Sequence, residues 1–260
     1  MPAAQPAGRW LCRLPLVALC LLTISPSPAA AQSPGLVAAY AFDEGFGTTV
    51  GDASGHLLSG AIEGAIWTAT GKYGSALSFS GTSSYVDLGN PALLQLTGSM
   101  TWSAWIYAAA NPFDDGVILA KSDNSSGWQF KTSPDTGVQT FGVAVSPSGA
   151  GHTQRYSTTV RALNTWYYVA AVYDAESQTL DIYVDGVLDN STLVGTIPAS
   201  QTDGNVNAAI GRRSGGNFNY FNGVIDEVRI YSRALTQAEI QADMNTPLTP
   251  PGLTIAPTVA

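Results

Sequence analysis

The segment from Phe221 to Ile240, FNGVIDEVRIYSRALTQAEI, constrains the fold more than any other part of this chain. From Val224 onward, β-branched residues recur at every second position, which is the pattern of a strand in an antiparallel sheet. The face predicted to turn toward the core carries Val224, Asp226, Val228 and Ile230. A buried charge is tolerated only when it is paired or bound to a metal. The sequence therefore predicts a core strand whose Asp226 has a specific partner.

A short helix is predicted directly after this strand. Thr236 and Glu239 have the spacing of a capping box, in which each side chain accepts a hydrogen bond from the backbone N–H of the other residue. The helix is therefore expected to run from Gln237 to about Met244.

Several segments share their order and spacing with one known family. They are Gly35 to Gly55 (GLVAAYAFDEGFGTTVGDASG), Gly71 to Gly89 (GKYGSALSFSGTSSYVDLG), Gly98 to Tyr107 (GSMTWSAWIY), Asn164 to Gly186 (NTWYYVAAVYDAESQTLDIYVDG) and the ending described above. Together they resemble LamG-like domains of the concanavalin A-like lectin/glucanase superfamily. The resemblance covers most of the chain. It implies an all-β fold, a two-sheet antiparallel jelly-roll sandwich with one short C-terminal helix.

This resemblance limits the function less than the fold, because the superfamily contains lectins, glycosidases, lyases and adhesion modules. It does predict which residues fill the core. Those expected to be mostly buried are Phe79, Trp105, Trp166, Val169, Leu180, Val228 and Ile230.

The two ends of the chain are predicted to lie outside the sandwich. Residues 1–31 combine basic residues, a short apolar run and a small-residue cleavage site, which is typical of a secretory signal peptide. Residues 247–260 are rich in proline and threonine, which indicates an extended tail or linker. The LamG-like domain is therefore expected over residues 32–246, in a protein that is secreted or located in a periplasmic or extracellular space. Both cysteines, Cys12 and Cys20, belong to the signal peptide.

The charge of the chain argues against nucleic acid and against anionic membrane surfaces as partners. The formal net charge is −8, and removal of Arg9 and Arg13 with the signal peptide makes it −10. Nucleic-acid binding needs clustered cations, so a nucleic-acid partner is not expected. No apolar stretch is long enough to predict a membrane span.

The sequence favours a non-catalytic domain. A retaining glycosidase needs two carboxyl groups about 5–5.5 Å apart, and the laminarinase-type members place theirs in a Glu-x-Asp-x-Glu run. The five glutamates of this chain contain no pair with that spacing. His56 and His152 lie in separate Gly/Ser-rich loops, without the partners that the lyase members use.

A structural calcium ion is predicted near the first and last strands. Asp226 is expected to point inward, and Asp43 closes the first strand, which in jelly rolls lies beside the last. Asp52 could complete the shell of oxygens that calcium requires, and Glu44 could replace Asp43. The family resemblance implies a similar site. The alternative is that Asp226 accepts backbone hydrogen bonds and that Asp52 shapes a turn.

Six residues are candidates for ligand binding, because aromatic, amide and guanidinium groups suit the recognition of sugar hydroxyls. They are Trp128, Tyr156, Arg212, Arg213, Asn217 and Tyr220. The alternative for each is a solvated loop or a packing role. The favoured interpretation is a secreted module that binds a glycan or glycoprotein, or mediates adhesion. A structural or assembly domain is the second, and a polysaccharide hydrolase or lyase is the third.

Overall fold

The computed structural model describes residues 1, 33–135, 139–147, 151–216 and 218–250. The predicted signal peptide, except Met1, and residues 251–260 of the predicted tail lie outside these residues, so both remain predictions. Within the described part of the chain, no helix is long and apolar enough to cross a membrane.

Two antiparallel sheets form the domain. The strands are β1 (Leu36–Tyr40), β2 (Thr49–Val50), β3 (Gly60–Glu63), β4 (Ile66–Thr68), β5 (Ala76–Ser80), β6 (Tyr85–Gly89), β7 (Met100–Ala108), β8 (Gly116–Ser122), β9 (Gly127–Ser133), β10 (Thr140–Val145), β11 (Thr153–Val160), β12 (Trp166–Asp174), β13 (Thr179–Val184), β14 (Val187–Leu188), β15 (Asn190–Val194), β16 (Ala208–Ile210) and β17 (Asn222–Tyr231). A 3₁₀ turn, Ala92–Leu94, precedes β7, and the helix α1 (Gln237–Asn245) follows β17.

The eight-stranded sheet has the order β14-β13-β12-β7-β17-β5-β4, with β1 paired to β17. The nine-stranded sheet has the order β15-β11-β10-β9-β8-β16-β6-β3-β2. The last strand therefore pairs with the first, as expected for a jelly roll. The chain is a two-sheet antiparallel jelly-roll sandwich with one short C-terminal helix, which confirms the predicted fold class.

The main core lies between the sheets, and a second, smaller cluster lies under α1 on the other face of the eight-stranded sheet. Because both faces of β7 are covered, its sequence MTWSAWIYA is almost continuously buried. Trp102 belongs to the main core, whereas Trp105 belongs to the cluster under α1. The expected core residues are buried with one exception. Trp166 is only partly buried, because it packs at the margin of the second cluster.

The predicted core face of β17 is confirmed for Val228 and Ile230 but is wrong for Val224 and Asp226, because the strand contains a bulge. Its register with β7 shifts between Asp226 and Arg229, and Glu227 has a positive φ of 55°. A bulge reverses the alternation of side chains beyond it. Ile225, rather than Val224, therefore joins Val228 in the main core. Asp226 lies opposite Trp105, on the face that α1 and its neighbouring loop cover.

The predicted helix and capping box are confirmed. Thr236 and Glu239 exchange both hydrogen bonds of the box at the start of α1. The hydrogen bond from Arg233, with those from Thr236, lowers the pKa of Glu239 to about 2. Beyond α1, the amide of Leu248 donates to Glu227 Oε2 at 2.8 Å. The first residues of the predicted tail are thus held against β17.

Candidate functional site

Three loops at one end of the sandwich enclose a cleft of about 430 Å³. They are the turn between β5 and β6, the loop between β7 and β8, and the segment before β17. The lining residues are Gly81, Thr82, Pro112, Phe113, Asp114, Asp115, Phe218, Asn219 and Tyr220. Phe113 is fully exposed and Phe218 is 58% exposed. A large exposed apolar side chain beside polar groups indicates a binding surface more strongly than a scattered one does.

Backbone and side-chain hydrogen bonds hold the cleft loops together. The amide of Val117 donates to the carbonyl of Asn219 at 2.9 Å, and Val117 also forms a parallel bridge with Tyr220. The side-chain amide of Asn219 donates to Asp114 Oδ2 at 3.2 Å. Asn219 has a φ of 61°, a conformation that asparagine tolerates better than most residues. The loop before β17 is thereby fixed against the loop before β8.

A buried polar network lies beneath the cleft. Lys131 Nζ on β9 donates to Asp115 Oδ2 at 2.7 Å and to Gln154 Oε1 at 3.1 Å, and lies 3.5 Å from Asp135 Oδ2. The hydroxyl of Tyr156 donates to Asp135 at 2.7 Å. Burial alone would raise the pKa of Asp135, but the Tyr156 hydrogen bond and the charge of Lys131 outweigh it and lower that pKa.

Three carboxylates meet at this network. Asp114, Asp115 and Asp135 each contribute one oxygen, and these atoms lie within 4.8 Å of one another. In the described ranges, this is the one group of three or more acidic, histidine or cysteine side chains with that spacing. Lys131 supplies a positive charge directly to the group, while Asp115 Oδ1 is buried and has no hydrogen-bond partner among the described residues. We call Asp114, Asp115, Asp135 and Lys131 the cleft network.

Two of the six predicted ligand-binding residues are buried. Trp128 is fully buried in the main core, where its ring centroid lies 5.2 Å from that of Trp102. Tyr156 is 2% exposed and belongs to the network beneath the cleft. Trp128 lies on β9, whose residues are all buried, and Tyr156 lies on β11, which is partly exposed but buries this side chain. Their side chains therefore pack, and neither offers a ring face to a ligand.

The other four predicted residues belong to the segment before β17. Tyr220 lines the cleft. Arg213 lies over the ring of Phe218 at 5.5 Å and donates to the side chain of Asn124 at 3.0 Å. Arg212 lies over the ring of Tyr85 at 3.5 Å, away from the cleft lining. Asn217 lies outside the described residues.

Sequence reasoning missed the acidic and aromatic residues of the β7–β8 loop. The run Asn-Pro-Phe-Asp-Asp-Gly, residues 111–116, places one phenylalanine in a turn that has no alternating apolar partners. That pattern distinguishes an exposed aromatic from a core one. Phe218 carries part of the same signal, since it follows two glycines and lies between two asparagines.

The predicted metal ligands Asp43 and Asp226 are tied to one loop. Asp43 Oδ1 accepts a hydrogen bond from the amide of Ser75 at 2.7 Å, and Asp226 Oδ2 accepts one from the amide of Tyr73 at 3.0 Å. Burial, with added repulsion from Glu227 and Asp43, raises the pKa of Asp226 to about 7. Asp226 Oδ1 and Glu227 Oε1 are buried without a hydrogen-bond partner in the described part of the chain. We call Asp43, Asp226 and Glu227 the bulge group.

Asp52 is not part of this group, and its side chain shapes a turn instead. Its Oδ1 accepts from the amides of Ala39 and Ser54 at 3.0 and 2.8 Å, while its Oδ2 accepts from the Leu58 amide at 3.0 Å and the Ser54 hydroxyl at 2.7 Å. The three predicted ligands, Asp43, Asp52 and Asp226, do not come within 4.8 Å of one another as a set. These contacts agree with the alternative interpretation of Asp52, in which its side chain shapes a turn. Glu44 likewise accepts from the amide of Gly51 at 2.7 Å.

Several solved structures share this architecture. Domain 4 of AbnA, a GH43 extracellular arabinanase from Geobacillus stearothermophilus, matches with a TM-score of 0.60 and 20% identity, over 80% of this chain and 98% of that one. The binding domain of Paraclostridial Mosquitocidal Protein 1 matches with a TM-score of 0.63 and 16% identity, over 81% of this chain and 52% of that one. The binding domain of Botulinum Neurotoxin DC matches with a TM-score of 0.59 and 13% identity, over 82% and 51%. The chain therefore spans about half the length of these two toxin domains.

These likenesses show the fold alone, because the identities are low. A comparison with curated proteins returns no match. A family model, Laminin_G_3 of the concanavalin A-like lectin/glucanases superfamily, matches residues 80–241, which is more than half of the chain. The chain belongs to this Laminin_G_3 family.

Proposed function

We propose that this protein is a secreted, non-catalytic LamG-like module that binds a glycan or glycoprotein in the cleft before β17. The observation that carries the proposal is the pairing of exposed Phe113 and Phe218 with the polar groups of Asp114 and Asn219 in one cleft. The C–H face of a sugar ring is apolar and weakly positive, so it is attracted to the negative face of an aromatic ring. A few fixed polar groups then select and orient the hydroxyls.

The cleft suits recognition because its parts are positioned before a ligand arrives. Arg213 lies against Phe218, and Asn219 is hydrogen-bonded to Asp114, so both loops already have defined contacts. Preorganised groups lose less conformational entropy on binding. Of the predicted ligand residues, Tyr220 stays in the proposal because it lines the cleft, and Arg213 because it lies over Phe218. Asn217 stays because it precedes Phe218 in the sequence, whereas Arg212 lies over Tyr85 instead.

The similar structures support carbohydrate as the ligand class. The arabinanase domain was solved in complex with arabinotriose, and the neurotoxin DC binding domain in complex with SialylT. The signal-peptide pattern of residues 1–31 supports export to a periplasmic or extracellular space, where glycans are available. Residues 32–246 form the proposed binding domain, and residues 247–260 a tail.

Binding without turnover is favoured by the charges of the cleft network. A glycosidase needs a general acid, whose pKa is raised by its surroundings. The pKa of Asp135 is instead lowered, and Asp115 is held by Lys131. These carboxylates are suited to stabilise loops and accept hydrogen bonds. They are poorly suited to protonate a leaving group.

Calcium is proposed as a structural ion in the bulge group. Asp43 and Asp226 would hold it. Glu227 lies on the same bulge, but it is already paired with Arg229, and the oxygens of these three acids are not all within 4.8 Å of one another. The support is chemical: Asp226 and Glu227 are fully buried, and each has an oxygen without a hydrogen-bond partner in the described residues. Buried carboxylates require a positive partner, and calcium prefers carboxylate oxygens. The ion would supply charge compensation between the first and last strands.

A glycan array on the mature protein tests the proposed binding function. Phe113→Ala and Phe218→Ala should each weaken binding of the best glycan by about tenfold, because a stacking surface is lost. Phe46→Ala is the matched control, since Phe46 is 79% exposed but lies in a different loop. Absence of binding to any glycan by the parent would favour the structural or assembly role. Release of reducing ends from the bound polysaccharide would instead reveal a hydrolase.

A further inference from the structure

A second aromatic surface lies on the outer face of the eight-stranded sheet. Tyr107 on β7 pairs directly with Trp166 on β12 and with Val224 on β17. The rings of Tyr107 and Trp166 have centroids 5.6 Å apart and are tilted by 52°. With Thr70, these three residues line a concave space of about 330 Å³.

The strand registers extend this surface into a continuous row. Val224 pairs with Ser78 on β5, and Ser78 pairs with Ile66 on β4. We call Ile66, Ser78, Val224, Tyr107 and Trp166 the outer row. It crosses five neighbouring strands, and at about 4.8 Å between strands it is about 19 Å long. Every member is at least partly exposed, and none is charged.

The neighbouring row of side chains on the same face is covered, whereas the outer row is at least partly exposed. The outer row therefore lies where the cover of this face ends. The covered row lies two residues farther along each strand and consists of Asp226, Trp105 and Tyr168, which pair with one another across the strands. All three are buried. The loop containing Tyr73 and the helix α1 cover that position. The cover ends at Thr70, which forms the rim of the concave space.

The outer row and the cleft are built on the same three strands. Gly81 follows β5, Phe113 follows β7, and Tyr220 precedes β17. Ser78, Tyr107 and Val224 lie only a few residues from these cleft residues along the chain. An extended ligand that leaves the cleft along the strands would therefore reach the outer row.

We propose that the outer row is a second subsite for the same carbohydrate, so that the protein binds an extended, uncharged oligosaccharide rather than a single terminal sugar. This inference rests on the proposed binding function. The partly exposed rings of Tyr107 and Trp166 offer stacking faces, and the hydroxyls of Thr70 and Ser78 offer hydrogen bonds. A protein partner fits less well, because stable interfaces bury about 800 Å² on each side and the row is a narrow strip.

Chain length of the ligand provides the test. Titration calorimetry would compare trisaccharides with hexasaccharides of the arabinan, xylan, cellulose and galactan series, using the full mature protein. The parent should bind a hexasaccharide about tenfold more tightly than its trisaccharide. Trp166→Ala should reduce the hexasaccharide affinity to the trisaccharide level and leave trisaccharide affinity unchanged. Trp166→Phe should retain most of the gain, and Phe46→Ala all of it.

The outcomes separate this inference from the proposed function. Unchanged hexasaccharide affinity in Trp166→Ala overturns the second subsite, while a loss of binding in Phe113→Ala still supports the cleft. Equal loss of trisaccharide and hexasaccharide binding in Trp166→Ala also overturns it, since the gain with length would then have another origin. A parent that binds none of the glycans overturns the proposed function and this inference with it. Melting temperatures of all variants identify any that fail to fold.

Discussion

The bulge group and the cleft network differ in what faces their carboxylates. In the cleft network, the ammonium group of Lys131 lies 2.7 Å from Asp115 and 3.5 Å from Asp135. In the bulge group, Arg229 pairs with Glu227 at 3.0 Å, whereas Asp226 is held by backbone amides, among them that of Tyr73 at 3.0 Å. The negative charge of the carboxylates is thus balanced by a lysine of the chain in the cleft network, but only partly balanced in the bulge group.

This difference separates two physical origins of buried acids. The cleft network can hold its charges permanently, because its counter-ion is part of the chain. The bulge group must either take up a proton or acquire an external cation, since an isolated buried carboxylate is strongly disfavoured. The two groups should therefore respond in different ways to mutation, calcium and pH.

The largest effect is expected from removing the internal counter-ion. Lys131→Met leaves the nearly buried Asp115 without its cation, and it also removes the ion-pair partner of the more exposed Asp135. Breaking a buried ion pair by removing one partner typically costs about 3–5 kcal/mol of unfolding free energy. Urea denaturation measures this loss.

Lys72→Met is the control for Lys131→Met. The ammonium group of Lys72 lies 3.9 Å from the centroid of the Trp105 ring and is partly exposed. Its loss should cost only about 1 kcal/mol. If the two variants lose equal stability, Lys131 is not the main charge compensation of the cleft network.

Calcium should stabilise the protein through the bulge group. A ligand that binds only the folded state at a hundred times its dissociation constant adds about 2.7 kcal/mol. We expect calcium to raise the melting temperature of the parent relative to EDTA, and Asp226→Asn to remove most of this rise. Asp115→Asn should keep it. Loss of the rise in Asp115→Asn, with retention in Asp226→Asn, would instead assign the ion to the cleft network.

In EDTA, the bulge group should make stability fall as pH rises. The pKa of Asp226 is raised by burial to about 7 in the folded protein, above its ordinary value of 3.8. The folded state therefore binds this proton more tightly, and its contribution is lost as pH rises toward and through the folded pKa. Between pH 5 and pH 7 the loss should be about 2 kcal/mol. Asp226→Asn, which cannot ionise, should flatten this part of the urea-derived profile.

The sequence predicted the fold well because its signals are local. Period-two alternation and the Thr236–Glu239 capping box are short-range patterns, and the structure contains both the strand and the helix that they predict. The bulge at Glu227 could not be predicted in this way. A bulge depends on the register with neighbouring strands, and it changes which side chains reach the core.

The candidate site was predicted only in part, for a similar reason. Tyr220 and Arg213 lie in a loop whose composition predicts ligand recognition. Tyr220 lines the cleft, and Arg213 lies over the ring of Phe218, which also lines it. Trp128 follows a polar turn in the sequence, yet it is the second residue of β9 and points into the core. Phe113 and Phe218 are more than a hundred residues apart, so only the folded chain brings them together.

The smallest loss of stability is expected from replacing Asp135, one of the two acids that pair with Lys131. Asp135→Asn should cost less than about 1 kcal/mol, because this side chain is 42% exposed and its ion pair is screened by water. Tyr156 also keeps an acceptor in Gln154 Oε1 at 2.8 Å. Asp115→Asn should cost more, since Asp115 is nearly buried and lies closer to Lys131.

The pH dependence of this small term has the opposite sign to that of Asp226. The pKa of Asp135 is lowered in the folded state, against the effect of burial, by the Tyr156 hydrogen bond and by Lys131. Its contribution is therefore present above the unfolded pKa of about 4 and is lost as pH falls through the folded pKa. Urea-derived stabilities of the parent and Asp135→Asn should converge at low pH and separate above about pH 4. A constant difference across that range would show that the carboxylate contributes through packing, and that Asp115 alone compensates Lys131.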